Sequence, residues 1–476
     1  MTFFNTEITW FLDVYILLIL GYAILIMSSY LALAYISTKE LRRYLKRNSF
    51  VDYDVLLTSE FAPKLSLIAP AYNEGLTIEE NVKSLLSLNY NNYQVIVVND
   101  GSKDNSMEIL TKTYDLVLTD LEFHPKIETK KIRGIYTSRN AAFKKLIVVD
   151  KENGGKADAL NVGLNIAQNP YVVCIDVDCI LDKDSLLKLA KPFLESYGKR
   201  IIATGGVVRI ANQCIIKNGR LVEVNVPDVM LSRIQVLEYL RAFLLGRMAW
   251  GKLDGLLLIS GAFGAFDKEI AILSGGYSTK TVGEDMELIV RMRRYMLDNK
   301  LPYSVSYIPD PLCWTEAPED FKIFKKQRSR WMRGTIETLS IHRRMFLNPK
   351  YKLLGMLSVP YWTLFEFLAP AIEFIGLVIT AVFIVFGLLN WHFFFLLLLF
   401  VYTFAVLFSV IALYSEEKTY HKYPKQADFF KLLMAAFIEP FYFHPLTVYA
   451  ALVGYKEKMM GTKGWGEMTR KGFTKK

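Results

Sequence analysis

The sequence predicts an α/β domain held between transmembrane helices, and three observations carry that expectation. Between Lys64 and Asp176, short apolar runs alternate with amphipathic helical stretches. This is the pattern of a parallel sheet covered on both faces by helices. Apolar residues make up 52% of the 476-residue chain while 22% are charged, and the apolar residues gather toward the two ends. The net charge of +10 is localised as well: residues 39–47 carry +4 and residues 456–476 carry +5, both beside apolar stretches. That is the positive-inside arrangement, which puts both flanks in the cytoplasm. With the middle of the chain close to neutral, nucleic acid is excluded as the partner of the basic charge.

Residues 14–36 contain no charge and are long enough to cross a bilayer. Ala32-Leu33-Ala34 has the form of a signal-peptide cleavage site. The segment nevertheless lacks a preceding positive charge, its apolar core is too long, and the basic cluster follows it. A retained helix is expected over residues 1–37, with its amino terminus outside, followed by a basic cytosolic linker over 38–63. A domain over 64–345 comes next, with strands expected at 65–70, 94–100, 145–150 and 171–176. Helices are expected at 77–88, after Asp104, and at 157–168. Residues 114–144 are polar and irregular and read as a surface insertion. Residues 353–414 are apolar and aromatic, divided by Pro370 and by Asn390-Trp391-His392 into about three segments. A polar stretch at 415–428 precedes a further apolar one at 429–454. The span 346–455 thus reads as transmembrane and interfacial helices, with two or four crossings, and 456–476 as a basic cytosolic tail. Four cysteines (Cys174, Cys179, Cys214, Cys313) lack zinc-type spacing and are expected as buried thiols.

The chemistry centres on Asp176-Val-Asp178, two carboxylates where a buried strand should end. Ligand crevices of open α/β sheets lie at the carboxyl ends of the strands. One or two carboxylates plus substrate phosphate is a usual magnesium arrangement, although Asp also simply begins turns. The strands before it end in Ala69-Pro-Ala-Tyr-Asn-Glu74 and Val98-Asn-Asp100-Gly-Ser102, which put amide and acidic groups at the same edge. Asp100 suits the donors of uracil and ribose. Asn153-Gly-Gly-Lys156 leads into a helix whose amino terminus, glycines and lysine favour phosphate, without the spacing of a Walker A loop. Gly283-Glu284-Asp285 opens a helix and offers either a first-turn acid or a general base. The five histidines (His124, His342, His392, His421, His444) lie away from these motifs, so a proton-transferring group here is expected to be a carboxylate. Gln327, Arg330 and Trp331 share one helix face and suit a diphosphate and a sugar ring. The same helix carries Lys322, Lys325, Lys326 and Arg333 and also reads as basic and lipid-facing.

In this order, the Ala-Tyr-Asn-Glu, Asn-Asp-Gly-Ser, Asn-Gly-Gly-Lys-Ala, Asp-x-Asp, Glu-Asp and Gln-x-x-Arg-Trp motifs resemble the membrane-embedded processive family-2 glycosyltransferases. That group includes cellulose, chitin, hyaluronan and poly-N-acetylglucosamine synthases. The resemblance covers residues 60–345 by motif and implies a GT-A-like cytosolic domain with a Rossmann-like mixed sheet. It implies nucleotide binding by Ala71, Asn73, Glu74, Asp100, Lys156 and Asp176, and a Mg2+ or Mn2+ ion held through Asp178. It implies Asp285 as the catalytic base, with Glu284, Gln327, Arg330 and Trp331 serving acceptor and pyrophosphate. Ser260–Phe266 falls where the family has an acceptor-contacting loop. Gly283 stands where threonine is frequent, and the acceptor loop lacks the cysteine of cellulose synthases.

The implied activity is inverting polymerisation of sugar from a UDP-sugar, best matched by UDP-N-acetylglucosamine, into a β-linked extracellular polysaccharide coupled to its translocation. Its partners are the UDP-sugar, the growing glycan and the lipid bilayer, with an accessory subunit left open. The implied location is the cell (inner) membrane, multi-pass, with a cytoplasmic catalytic domain. Glu366, Glu373 and Glu439 are candidates for lining a glycan path. A non-processive enzyme making one glycolipid linkage is the alternative, and an inactive membrane scaffold or transporter is the alternative of a different class.

Overall fold

The computed structural model describes residues 2–195, 198–217 and 219–462. Its centre is a ten-stranded sheet in the order β3-β4-β5-β2-β1-β6-β11-β8-β12-β7. The strands are β1 (Leu65–Ala71), β2 (Tyr93–Asn99), β3 (Leu116–Leu118), β4 (Ile132–Ser138), β5 (Leu146–Lys151), β6 (Tyr171–Ile175), β7 (Ile180–Leu181), β8 (Arg200–Ile210), β11 (Phe263–Asp267) and β12 (Tyr303–Thr315). A separate hairpin pairs β9 (Ile215–Lys217) with β10 (Arg220–Glu223).

The four strands read from the sequence are the parallel block β5-β2-β1-β6. Their near-continuous Val, Ile and Leu runs are buried on both faces, as a parallel block between helices requires. The sheet as a whole is mixed, as the resemblance implies, because β11 enters antiparallel between β6 and β8. The segment 114–144 is also not irregular. It carries β3 and β4, which extend the sheet antiparallel beyond β5. Ile132, Ile135 and the β-branched Thr137 supply the strand character, and charged neighbours such as Lys130, Lys131 and Arg133 mask it in the sequence.

Register places the site. Ala71 pairs with Asn99, and Asn99 with Asp150, so β1, β2 and β5 end level with one another. Phe263 at the start of β11 lies opposite Ile175 at the end of β6. The antiparallel strand therefore delivers the 260–262 loop to the edge where the parallel strands finish.

Three helices among the described residues are long and apolar enough to cross a membrane: Val14–Asn48, Leu354–Val385 and Trp391–Thr419. The first runs on through the basic cluster at 39–47 rather than ending before a linker. Pro370 does not break the second, because it sits in the first turn of the Ala369–Val385 segment, where a missing N–H costs nothing. The expected three segments between 353 and 414 are thus two membrane-length helices. The stretch after them is the helix Gln426–Met459, which is not among the three. Most of the basic tail lies outside the described residues. The helices dock on the sheet domain through a buried ion pair, Arg209 of β8 with Glu416, and a half-buried one, Arg241 with Glu439.

Candidate active site

The level strand ends create one cluster of loops. Asn73 adopts a left-handed conformation (φ 55°). Its Oδ1 accepts from the Lys103 N–H at 2.8 Å, and its own N–H donates to Ser102 Oγ at 3.0 Å. The Glu74 N–H donates to Ser106 Oγ at 3.0 Å. The β1 loop is thereby tied to the β2 loop, and the Asn73 amide is spent on that tie.

Asp100 is 3% exposed. Its carboxylate accepts from the Gly154 N–H at 2.9 Å and the Gly155 N–H at 2.8 Å, and it pairs with Lys151 Nζ. Lys151, fully buried, also pairs with Asp158 at 2.7 Å. A Cβ at Gly154 would lie 2.5 Å from the Asp158 carboxylate, and Gly155 (φ 86°) caps the Lys156–Ile166 helix. Lys151 and Asp158 are residues of this cluster that the motifs do not include. A lysine closing an otherwise apolar strand was the available signal, since a buried ammonium needs an acidic partner.

Lys156 reaches across the edge. Its Nζ pairs with Asp176, donates to the Gly261 carbonyl at 3.2 Å and lies 3.8 Å from Glu284. Burial alone disfavours the Lys156 ammonium, but Asp176, Glu284 and Asp285 outweigh it and raise its pKa. Burial pushes Glu284 up to about 7, with Asp285 adding to the rise and Lys156 and Arg330 opposing it. Asp285 sits in the first turn of the helix Glu284–Asp298 and is partly exposed. Its Oδ2 accepts from the Gly261 N–H at 2.8 Å, and its Oδ1 from the Met286 N–H at 2.8 Å. One loop residue, Gly261, thus holds both Lys156 and Asp285. Gly283 has a packing reason: a Cβ there would lie 2.7 Å from Cα of Gly334 in the helix Phe321–Ile341. The glycine pair lets the two helices meet backbone to backbone.

Gln327, Arg330 and Trp331 all line the same cavity as Asp100, Asp176 and Asp285. Trp331 is 40% exposed. Arg328, which the motif reading passed over, lies 4.2 Å from the Trp331 ring and forms a bidentate pair with Glu238 at 2.7 and 2.5 Å. It sits three residues before Trp331, the spacing that makes helical neighbours. Arg333 does not face lipid. It is buried and paired with Glu457 at 3.3 Å. All four cysteines are free and buried.

Asp176, Asp178 and Cys179 bring potential ligand atoms within 4.8 Å of one another. Hydrogen bonding to Cys313 and burial push the Cys179 thiol well above its ordinary value, so it stays a neutral, soft donor. The two carboxylates fit a hard divalent cation that takes its other ligands from phosphate and water.

The cavity has a volume of about 4310 Å³ and runs from the β1 loop past Asp285 to the helices at Tyr22, Glu366 and Phe394. Glu366, Glu373 and Glu439 all line it. Glu439 is held by Arg241, and Glu373 by His444 at 2.7 Å.

A mixed sheet with an acidic, lysine-bridged edge, carried on membrane-length helices, defines a GT-A-like catalytic domain. The model described as "Glycosyl transferase family 2" matches residues 66–212, and "Glycosyl transferase family group 2" matches residues 171–406. The chain belongs to glycosyltransferase family 2. It is 29% identical over 278 residues to the poly-beta-1,6-N-acetyl-D-glucosamine synthase of Staphylococcus epidermidis, covering 58% of this chain and 55% of that protein. It is 28% identical over 307 residues to the enzyme of the same name from Staphylococcus aureus strain COL, covering 63% and 60%. The chain thus matches little more than half the length of these curated relatives. Its fold is similar to that of a mannosyltransferase from Pyrobaculum calidifontis solved with GDP-Man and Mn2+. The TM-score is 0.51 at 16% identity, covering 93% of this chain and 99% of that one.

Proposed function

We propose that the protein is an inverting, processive glycosyltransferase that polymerises N-acetylglucosamine from UDP-N-acetylglucosamine into a β-linked polysaccharide and passes the chain across the membrane. The observation that carries this reading is the continuous cavity from the nucleotide loops, past Asp285, to the membrane-length helices. Pockets for small ligands hold ~300–1,000 Å³, whereas this one, at about 4310 Å³, has room for several sugar units. The similarity to poly-N-acetylglucosamine synthases supports the choice of sugar.

Asp285 takes the proton of the acceptor hydroxyl as that oxygen attacks the anomeric carbon. The bond from that carbon to the diphosphate oxygen breaks on the opposite face, and UDP departs with the electron pair. The Gly261 N–H keeps the base aimed while leaving lone pairs for the proton. Lys156 and Arg330 place positive charge where the diphosphate leaves. Asp178 would hold Mg2+ or Mn2+, which neutralises developing negative charge on the leaving group when bound. Asp100, fixed by Lys151 and the glycine N–H groups, receives the uridine, with Ala71, Asn73, Glu74 and Asp176 around it. Gln327 and Trp331 support the acceptor. An amino terminus outside, one crossing before the catalytic domain over 64–345 and two after it keep that domain and the tail in the cytoplasm of a multi-pass membrane protein.

The test is the purified chain in vesicles with Mg2+ or Mn2+ and a panel of UDP-sugars, with GDP-mannose as control. Long polymer made from UDP-N-acetylglucosamine by the chain alone, and recovered inside the vesicles, is the expected result. A product one sugar long would replace the reading with glycolipid synthesis, and product left wholly outside would remove the translocation step.

A further inference from the structure

Most buried charges near the cavity are paired, but among the described residues several buried polar atoms are not, two of them on Arg247 and Trp362. Arg247 lines the cavity on a π-helical segment, Leu240–Arg247. Its guanidinium lies 3.8 Å from the Phe243 ring, and its Nη1 is buried without a hydrogen-bond partner among the described residues. Glu366 and Trp362 line the cavity from a second π-helical segment, Trp362–Phe367. The indole Nε1 of Trp362 is also buried and without a partner among the described residues. Glu366 faces the lumen, and among the described residues no hydrogen bond or ion pair holds it. Arg247 lines the same cavity as Asp285 and Glu366 and lies within electrostatic range of both.

Buried donors and charges left without partners are costly, and π-helical turns concentrate at functional sites. Here two such turns, from distant parts of the chain, place two buried donors and one carboxylate on residues that line the same cavity. We infer that Arg247, Trp362 and Glu366 form an acceptor subsite that binds a neutral, acetamido-bearing sugar unit of the growing chain just beyond the catalytic base. This rests on the glycan-polymerase reading. An acetamido sugar satisfies all three groups: its carbonyl accepts from Arg247 and Trp362, and its hydroxyl or amide N–H donates to Glu366. A uronate would meet Arg247 but be repelled by Glu366. An unacetylated amino sugar would meet Glu366 but be repelled by Arg247. The opposed charges select for a unit with no net charge.

The experiment measures oligosaccharide binding to the purified full chain without donor, using an N-acetylglucosamine pentamer and a hyaluronan hexamer. Arg247→Gln and Glu366→Gln should each weaken the pentamer by about tenfold or more, while UDP affinity and thermal unfolding stay as in the parent. The hyaluronan hexamer should bind the parent more weakly than the pentamer and gain in Glu366→Gln. Pentamer affinity unchanged in both variants overturns the subsite, as does a parent that prefers hyaluronan. Loss of UDP binding together with the pentamer also overturns it, because the effect is then on the fold. Sugar turnover is scored separately: a parent that binds the pentamer but releases no UDP from any UDP-sugar keeps the subsite and sinks the polymerase reading.

Discussion

The two ends of the cavity, proposed here as its donor and acceptor ends, are built on opposite principles. At the donor end, carboxylates already have cationic or backbone partners: buried Asp100 has Lys151 and two glycine N–H groups, buried Asp158 shares Lys151, and half-buried Asp176 has Lys156. At the membrane end, Arg247, Trp362 and Glu366 make no hydrogen bond or close ion pair among the described residues. Internal pairing preorganises a site for a ligand of fixed shape. Polar groups left open suit a chain that must be gripped and then moved on. If that contrast is right, changes at the donor end should damage stability or chemistry, while changes at the acceptor end should damage glycan affinity alone.

The largest expected effect belongs to Asp285→Asn. The amide keeps the Gly261 hydrogen bond but cannot take a proton, so transfer should fall by about 10²–10⁴ with UDP-sugar affinity intact, as read by UDP release and equilibrium binding. Full polymer synthesis by this variant would remove Asp285 as base. Next comes Lys151→Met, which leaves Asp100 and Asp158 buried without their cation. Denaturant titration should show a loss of roughly 3–5 kcal/mol and calorimetry a loss of UDP binding. A stable variant that still binds UDP would show that the donor end does not depend on internal pairing.

Glu284 gives a pH signature. Burial raises its pKa from 4.5 to about 7 in the folded chain, so the unfolded chain loses this proton first as pH rises. Its contribution to stability is full below about pH 4.5 and is lost as pH climbs through 7, a fall of roughly 3 kcal/mol. Stability measured across that window should decline in the parent, and Glu284→Gln should flatten the decline. Gly283→Ala is the smallest change. Its methyl would meet Gly334 Cα at 2.7 Å, and separating the two helices should cost about 1–3 kcal/mol in thermal unfolding, with Asp285 displaced and transfer slowed. Gly334→Ala should do the same if the glycine contact is what seats the base.

The motifs were legible because each is local. Apolar strands that end in Asp100 and Asp176 declare themselves by composition, and the pairing of Ala71 with Asn99 and of Asn99 with Asp150 follows once those strands lie parallel. The 114–144 segment was missed because the edge strands β3 and β4 are short or charged, and partners rather than pattern stabilise them. Arg333 was misplaced for a similar reason. Helical spacing orders its face, but only Glu457 from a distant helix says that the face is buried.

The sequence alone determined the alternating α/β core, the acidic strand ends, the apolar spans and the family. These are set by interactions between near neighbours and by the preference of side chains for water, strand edge or lipid. Only the tertiary structure decided that Lys151 serves two aspartates, that Gly261 joins Lys156 to Asp285, and that Gly283 needs Gly334. It alone set Arg247 and Glu366 along one cavity, without a hydrogen bond among the described residues. Those facts depend on which distant segments meet, and the packing of the whole chain sets that, not the residues at either end of the contact.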